Sequence, residues 1–276
     1  MNSSEQRILK SLTRRSFLNK MITGTSAAVG SYLVSNGAHA VNLDQTSLSG
    51  LPKIMRNVPE TEEYWSAVKA MFPLRKGLIL LNSANLCTSS SLVTNKLIEN
   101  THDLDSDPSF ENRDKYKNKI ERTRSLLAGM LGANADEIAL TRNTSESSRA
   151  IIGGLTLGKG DEVLLWDQNH ESNNVAWDVW SKRLGFTVKR VTTPLAPRNS
   201  DELLKCFVDA IGQQTKVVAF SQVSNISGIA LPAKEICRAA KKMCALSLVD
   251  GAQTFGVIEQ NLHQLGCDFY VGSAHK

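Results

Sequence analysis

The chain has 276 residues, 41% of them apolar and 21% charged, which is enough to bury a core of one large or two ordinary domains and excludes a disordered polypeptide. Its formal charge of +5 does not mark a nucleic-acid binder. Within the first 40 residues Arg7, Lys10, Arg14, Arg15 and Lys20 stand against Glu5 alone, so only about +1 remains for the rest.

The N-terminal run TRRSFLNK, MITGTSAAVGSYLV and then AHA before Val41 has the three parts of an export signal: a positive start, a modest apolar stretch and a small-residue cleavage site after Ala40. Arg14-Arg15 followed by Ser16-Phe17-Leu18 resembles the twin-arginine type, which implies export of an already folded protein to the periplasm. A membrane anchor is the alternative, but Gly24, Thr25, Ser26, Gly30 and Ser31 interrupt the apolar stretch, which is short for a span. The expected organisation is a signal over residues 1–40, an N-terminal segment over 41–70 and one large domain over 71–276.

After a polar stretch to about Pro59, EEYWSAVKAMF reads as an amphipathic helix and GLILLNSANL as a strand-like run. THDLDSDPSFENRD is polar and turn-rich, so a surface loop is expected before the helix RDKYKNKIERTRSLLAGMLG. From there EIALT, EVLLW, TVKRV, KVVAFSQV, ALSLVD and DFYVG read as strands, separated by helices starting near Thr144, Ser172, Ser200, Pro232 and Gln260. This alternation predicts an α/β fold, a mostly parallel sheet with helices on both faces. Such sheets bind ligands beyond the carboxyl ends of their strands, so the residues that follow each strand matter most.

Those residues are polar and chemically varied. Arg142-Asn143-Thr144-Ser145 follows EIALT, where Thr144 fits either a helix cap or a phosphate seat at a helix start. His170 follows EVLLW; HESNN is not the zinc motif H-E-x-x-H, because its fifth residue is Asn174. Asn225, in SNISG, fits a turn. Asp250 ends a central apolar strand, where a carboxylate needs a cationic partner such as a protonated ring nitrogen. The last strand delivers Ser273-Ala274-His275-Lys276. Together the strand ends offer a phosphate seat, an imidazole, an acid and an amine on one rim, the groups a pyridoxal 5'-phosphate site requires.

Five cysteines, Cys87, Cys206, Cys237, Cys244 and Cys267, are odd in number and form no C-x-x-C, so neither a zinc site nor a disulfide framework is expected. No G-x-G-x-x-G lies between a strand and a helix, which argues against a nicotinamide dehydrogenase.

LTRNTSES, DQNHESNNVAW, SNISGIALPAKEI, LVDGAQ and YVGSAHK resemble, in order and spacing, the class V aminotransferases of the fold-type I pyridoxal-phosphate enzymes. The resemblance runs from about Tyr64 to Lys276, and EEYWSAVKAMFPL with LILLNSANLC is most similar to the isopenicillin N epimerase-like branch. It implies that Lys276 joins the cofactor aldehyde and moves the substrate α-proton, Asp250 pairs with the ring nitrogen, His170 stacks on the ring and Gln253 lies near its hydroxyl. It also implies that Thr144, Ser145, Ser273 and His275 hold the phosphate, and that Asn225 sits near the cofactor's substituents or the substrate. Asn143 and Ser145 stand where many relatives have Gly and Thr. Family members continue past the lysine into a further strand and a small C-terminal domain, so the resemblance implies a large domain without that small domain, homodimeric at full length. The activity implied is epimerase-like proton exchange at the α-carbon of an amino-acid-like substrate. A cysteine desulfurase or selenocysteine lyase, and a truncated non-catalytic protein of the same fold, are the alternatives.

Overall fold

A computed structural model describes residues 61–276. The expected export signal and the polar stretch to Pro59 lie outside the described residues. The chain divides into two compact units, one running through Thr123 and including His275, the other comprising Arg124–Ala274 and Lys276.

In the first unit, helix α1 (Glu62–Ala70) starts at Thr61, whose side chain accepts the Tyr64 N–H, and buries Tyr64 and Val68 beneath Trp65, Met71 and Phe72. The expected loop over 101–114 is instead mostly helical: α2 covers Ser91–Ser106, α3 covers Phe110–Leu131, and only a tight turn separates them. Asp103 on α2 explains this, since it accepts bonds from Lys115 and Tyr116 on α3, each at 2.6 Å, and so stitches two polar helices together. The strand-like run over 77–86 forms no strand; Leu81 is 88% exposed. Strand propensity is realised only where a neighbouring strand supplies a ladder, and among the described residues none does so here.

The second unit holds α4 (Thr144–Gly154), β1 (Glu162–Trp166), α5 (Glu171–Leu184), β2 (Thr187–Val191), α6 (Ser200–Ala210), β3 (Thr215–Ser221), α7 (Ala233–Lys242), β4 (Leu246–Asp250), the one-turn α8 (Leu262–Leu265) and β5 (Phe269–Val271). The strands pair in parallel in the order β2-β1-β3-β4-β5. Alternate residues go to opposite faces, as the pleat dictates. Leu164, Trp166, Val218, Phe220 and Val249 pack with Phe207 of α6 and Ile236 of α7. Val163, Leu165, Val217, Ala219 and Leu248 pack with Ile152 of α4 and Trp177 of α5. The parallel α/β architecture with helices on both faces is thus the one expected.

EIALT differs from expectation. Glu137 closes a 3-10 turn (Ala135–Glu137) and residues 138–141 pair with no strand among the described residues. As with the run over 77–86, apolar and β-branched residues lack a ladder to join.

Candidate functional site

The carboxyl ends of β1, β3, β4 and β5 share one edge of the parallel sheet, and the helix starts of α4 and α5 lie with them. Asn143 caps α4, its Oδ1 accepting the Glu146 N–H at 2.9 Å. Capping therefore does not occupy Thr144, the first residue of α4, which is buried with its Oγ1 hydrogen-bonded to the Oγ of buried Ser273. The next hydroxyl, Ser145 Oγ, lies 3.2 Å from Ser172 Oγ. Two hydroxyls and the exposed amides of a helix start make a cradle for an anion.

His170 caps α5: its Nδ1 accepts the Ser172 N–H at 3.2 Å and lies 2.8 Å from Ser172 Oγ. One residue before it, Asn169 ties β1 to β3, donating from Nδ2 to the Ala219 carbonyl at 3.0 Å and accepting the Ser221 N–H at 2.7 Å.

Asp250, the last residue of β4, is 6% exposed. Its Oδ2 accepts from Asn173 Nδ2 at 2.6 Å and its Oδ1 from the Ala252 N–H at 2.9 Å. Burial pushes its carboxyl above the ordinary range; the Ala252 amide, the charges of Lys276 and His170 and the Asn173 amide pull the other way without offsetting it. A buried carboxylate still short of compensation suits one more cation against it. Gly251 follows, and a Cβ there would overlap the Tyr270 phenol of β5, so glycine lets the two strand ends close up.

Three sets of polar contacts thus line the rim, Ser273 with Thr144, Ser145 with Ser172 and His170, and Asn173 with Asp250, with Lys276 felt electrostatically by Asp250. Asn225 is exposed in the turn after β3, where Ser224 Oγ organises the backbone by accepting the Ile226 and Ser227 N–H groups. Gln253 is half-buried in the turn after β4. His275 is exposed and groups with the first unit, where the Cys87 N–H donates to its carbonyl at 2.9 Å. Ser172, Asn173 and Asn169 were not predicted, although HESNN contains the signal for the first two: a helix capped at His170 puts the residues of its first turn on the same rim.

Burial pushes the Cys237 thiol up to about 12 and the Cys267 thiol to about 11, keeping both protonated. Among the described residues no cluster of three or more His, Cys, Asp or Glu side chains could hold a metal ion. A cavity of about 350 Å³ lined by Leu155, Leu157, Lys216, Val217, Cys244 and Leu246 lies at the opposite ends of the strands and contains none of the predicted site residues.

Comparison with known proteins bears on the family and the fold. A family model described as aminotransferase class-V matches residues 95–276. The isopenicillin N epimerase of Amycolatopsis lactamdurans is 33% identical over 156 residues, covering 55% of this chain and 39% of that protein. A probable cysteine desulfurase of Methanothermobacter thermautotrophicus is 34% identical over 158 residues, covering 57% of this chain and 38% of that one. A solved variant of C-DES, with glycine covalently linked to its PLP cofactor, superimposes with a TM-score of 0.70 at 21% identity over 75% of this chain and 55% of that one, a likeness of fold. The chain spans about two fifths of the length of the curated relatives it matches.

Proposed function

The chain belongs to the class V aminotransferase family, whose cofactor is pyridoxal 5'-phosphate, and on that premise we propose that it acts at the α-carbon of an amino-acid-like substrate by epimerase-like proton exchange. The observation that carries the reading is Asp250: a buried carboxylate at the end of a central strand, still short of compensation, with Lys276 and His170 within electrostatic reach.

When bound, pyridoxal phosphate supplies an aldehyde for primary amines and a ring that accepts the electrons left when a bond to the α-carbon breaks. Lys276 is the attachment amine and the base that removes and returns the α-proton. Asp250 would hold a proton at the ring nitrogen. His170 would offer its imidazole to the ring, and Thr144, Ser145 and Ser273 would hold the phosphate. Gln253 would serve the ring hydroxyl and Asn225 the substrate side. Removing and returning one proton needs only a lysine and an electron sink, which is why exchange is preferred to transfer.

The 34% identity to a probable cysteine desulfurase favours a second reading within the same family. The proposal also includes export through the twin-arginine machinery with cofactor loaded in the cytoplasm, supported by Arg14-Arg15 and the pattern that follows, and a homodimeric working form, supported by the family resemblance.

The test is incubation of the pyridoxal-phosphate-loaded protein with amino acids in deuterated water. Deuterium at the α-carbon together with conversion of one enantiomer into the other is expected. Sulfide release from cysteine would assign the desulfurase reading, and neither product from a protein with bound cofactor would assign a non-catalytic one.

A further inference from the structure

Asn173 stands three residues after His170, in the first turn of α5, and is buried against the end of β4 with 8% of its surface exposed. Its Nδ2 donates to Asp250 Oδ2 at 2.6 Å, while the Ala252 N–H holds Oδ1 at 2.9 Å. Each carboxylate oxygen thus has one donor, one from the turn that follows β4 and one from a helix on the face of the sheet. With Asp250 at 6% exposure, water cannot readily replace either donor. The charged and titratable groups that face this carboxylate are Lys276 after β5, His170 at the start of α5 and Tyr270 on β5, whose phenol burial pushes up to about 12. Positions 170 and 173 share one face of α5, so this single helix start sets both the imidazole and the carboxylate.

We propose that Asn173 is a positioning residue for Asp250, supplying the donor that fixes Oδ2 and holds the carboxylate in its orientation at the rim. The cofactor half of this inference rests on the pyridoxal-phosphate reading above; the contact that carries it lies within the protein. An amide suits the position because it donates without adding charge. Aspartate here would place two carboxyl groups on one proton, and alanine would leave Oδ2 buried without its donor.

Two measurements on the 276-residue chain test it: the Asp250 midpoint by carbon-13 carboxyl titration without cofactor, and pyridoxal phosphate affinity by fluorescence. Asn173→Ala is expected to raise the Asp250 midpoint by about one pH unit, the equivalent of one charge-assisted hydrogen bond, and to weaken cofactor binding about tenfold. Asn173→Ser, which keeps a donor, falls between wild type and alanine, and Asn173→Asp shows the largest shift. If the alanine variant does not fold, the order of the serine and aspartate variants decides the same question. An Asp250 midpoint unchanged in the variants that fold overturns the proposal, even if cofactor affinity falls. A wild-type chain that takes up no pyridoxal phosphate overturns the site reading, and with it the cofactor half of this one.

Discussion

The hydroxyls of Thr144 and Ser273, 129 positions apart in the chain, share a hydrogen bond that joins the start of α4 to the exit of β5. Both are buried, so this contact fixes the spacing of the two loops that supply the anion cradle. Thr144→Ala and Ser273→Ala are each expected to weaken pyridoxal phosphate binding about tenfold, the loss of one hydrogen bond to a charged group. Binding of pyridoxal, which lacks the phosphate, is expected to stay unchanged. Fluorescence titration with the two ligands checks this; equal losses for both would place the phosphate elsewhere.

Asn169 is expected to act on stability. It is 4% exposed and accepts the Ser221 N–H while donating to the Ala219 carbonyl, which also sits in the β1–β3 ladder, so Asn169→Ala leaves the Ser221 N–H without its partner. The expected cost is about 1–3 kcal/mol, read as a lowered urea midpoint at unchanged slope. A variant within about 0.5 kcal/mol of wild type would contradict the clamp.

Gly251→Ala is expected to destabilise by about 1–3 kcal/mol, because the added Cβ would overlap the Tyr270 phenol and the strand ends would have to part. Adding Tyr270→Leu makes room and is expected to recover part of the loss. A chemical denaturation series of the two variants measures both effects.

The α2–α3 pair is expected to loosen at both ends of the pH scale. Lys115 and then Tyr116 hold the Asp103 carboxyl down at about 2, below its ordinary 3.8, while the bond to Asp103 raises the Tyr116 phenol to about 12, above its ordinary 10.0. The lowered carboxyl contributes stability that is present above about pH 4 and lost as pH falls towards 2; the raised phenol contributes stability lost as pH rises from 10 towards 12. Amide exchange in residues 100–119 reads the acid limb, which Asp103→Asn should abolish.

Four of the five paired strands were legible as short, largely apolar runs ending in polar residues, while the edge strand β2, TVKRV, was legible by its β-branched residues. Residues 138–141 and 77–86 have the same composition but no ladder, and composition carries no information about partners. Residues 101–114 misled in the opposite sense: polar residues suggest a loop until Asp103 is seen to hold Lys115 and Tyr116. In the site, the positions of Asp250, His170, Thr144 and Ser273 were legible because each polar group ends or follows a strand or begins a helix. Asn173 was not, because its importance lies in a contact with a residue 77 positions away.

The most direct test of the central claim is borohydride reduction of the pyridoxal-phosphate-loaded protein followed by peptide mass mapping. The account predicts a pyridoxyl group on Lys276, and its loss in Lys276→Ala with the thermal midpoint retained. A label on another lysine, or one that survives at equal strength in Lys276→Ala, would contradict it.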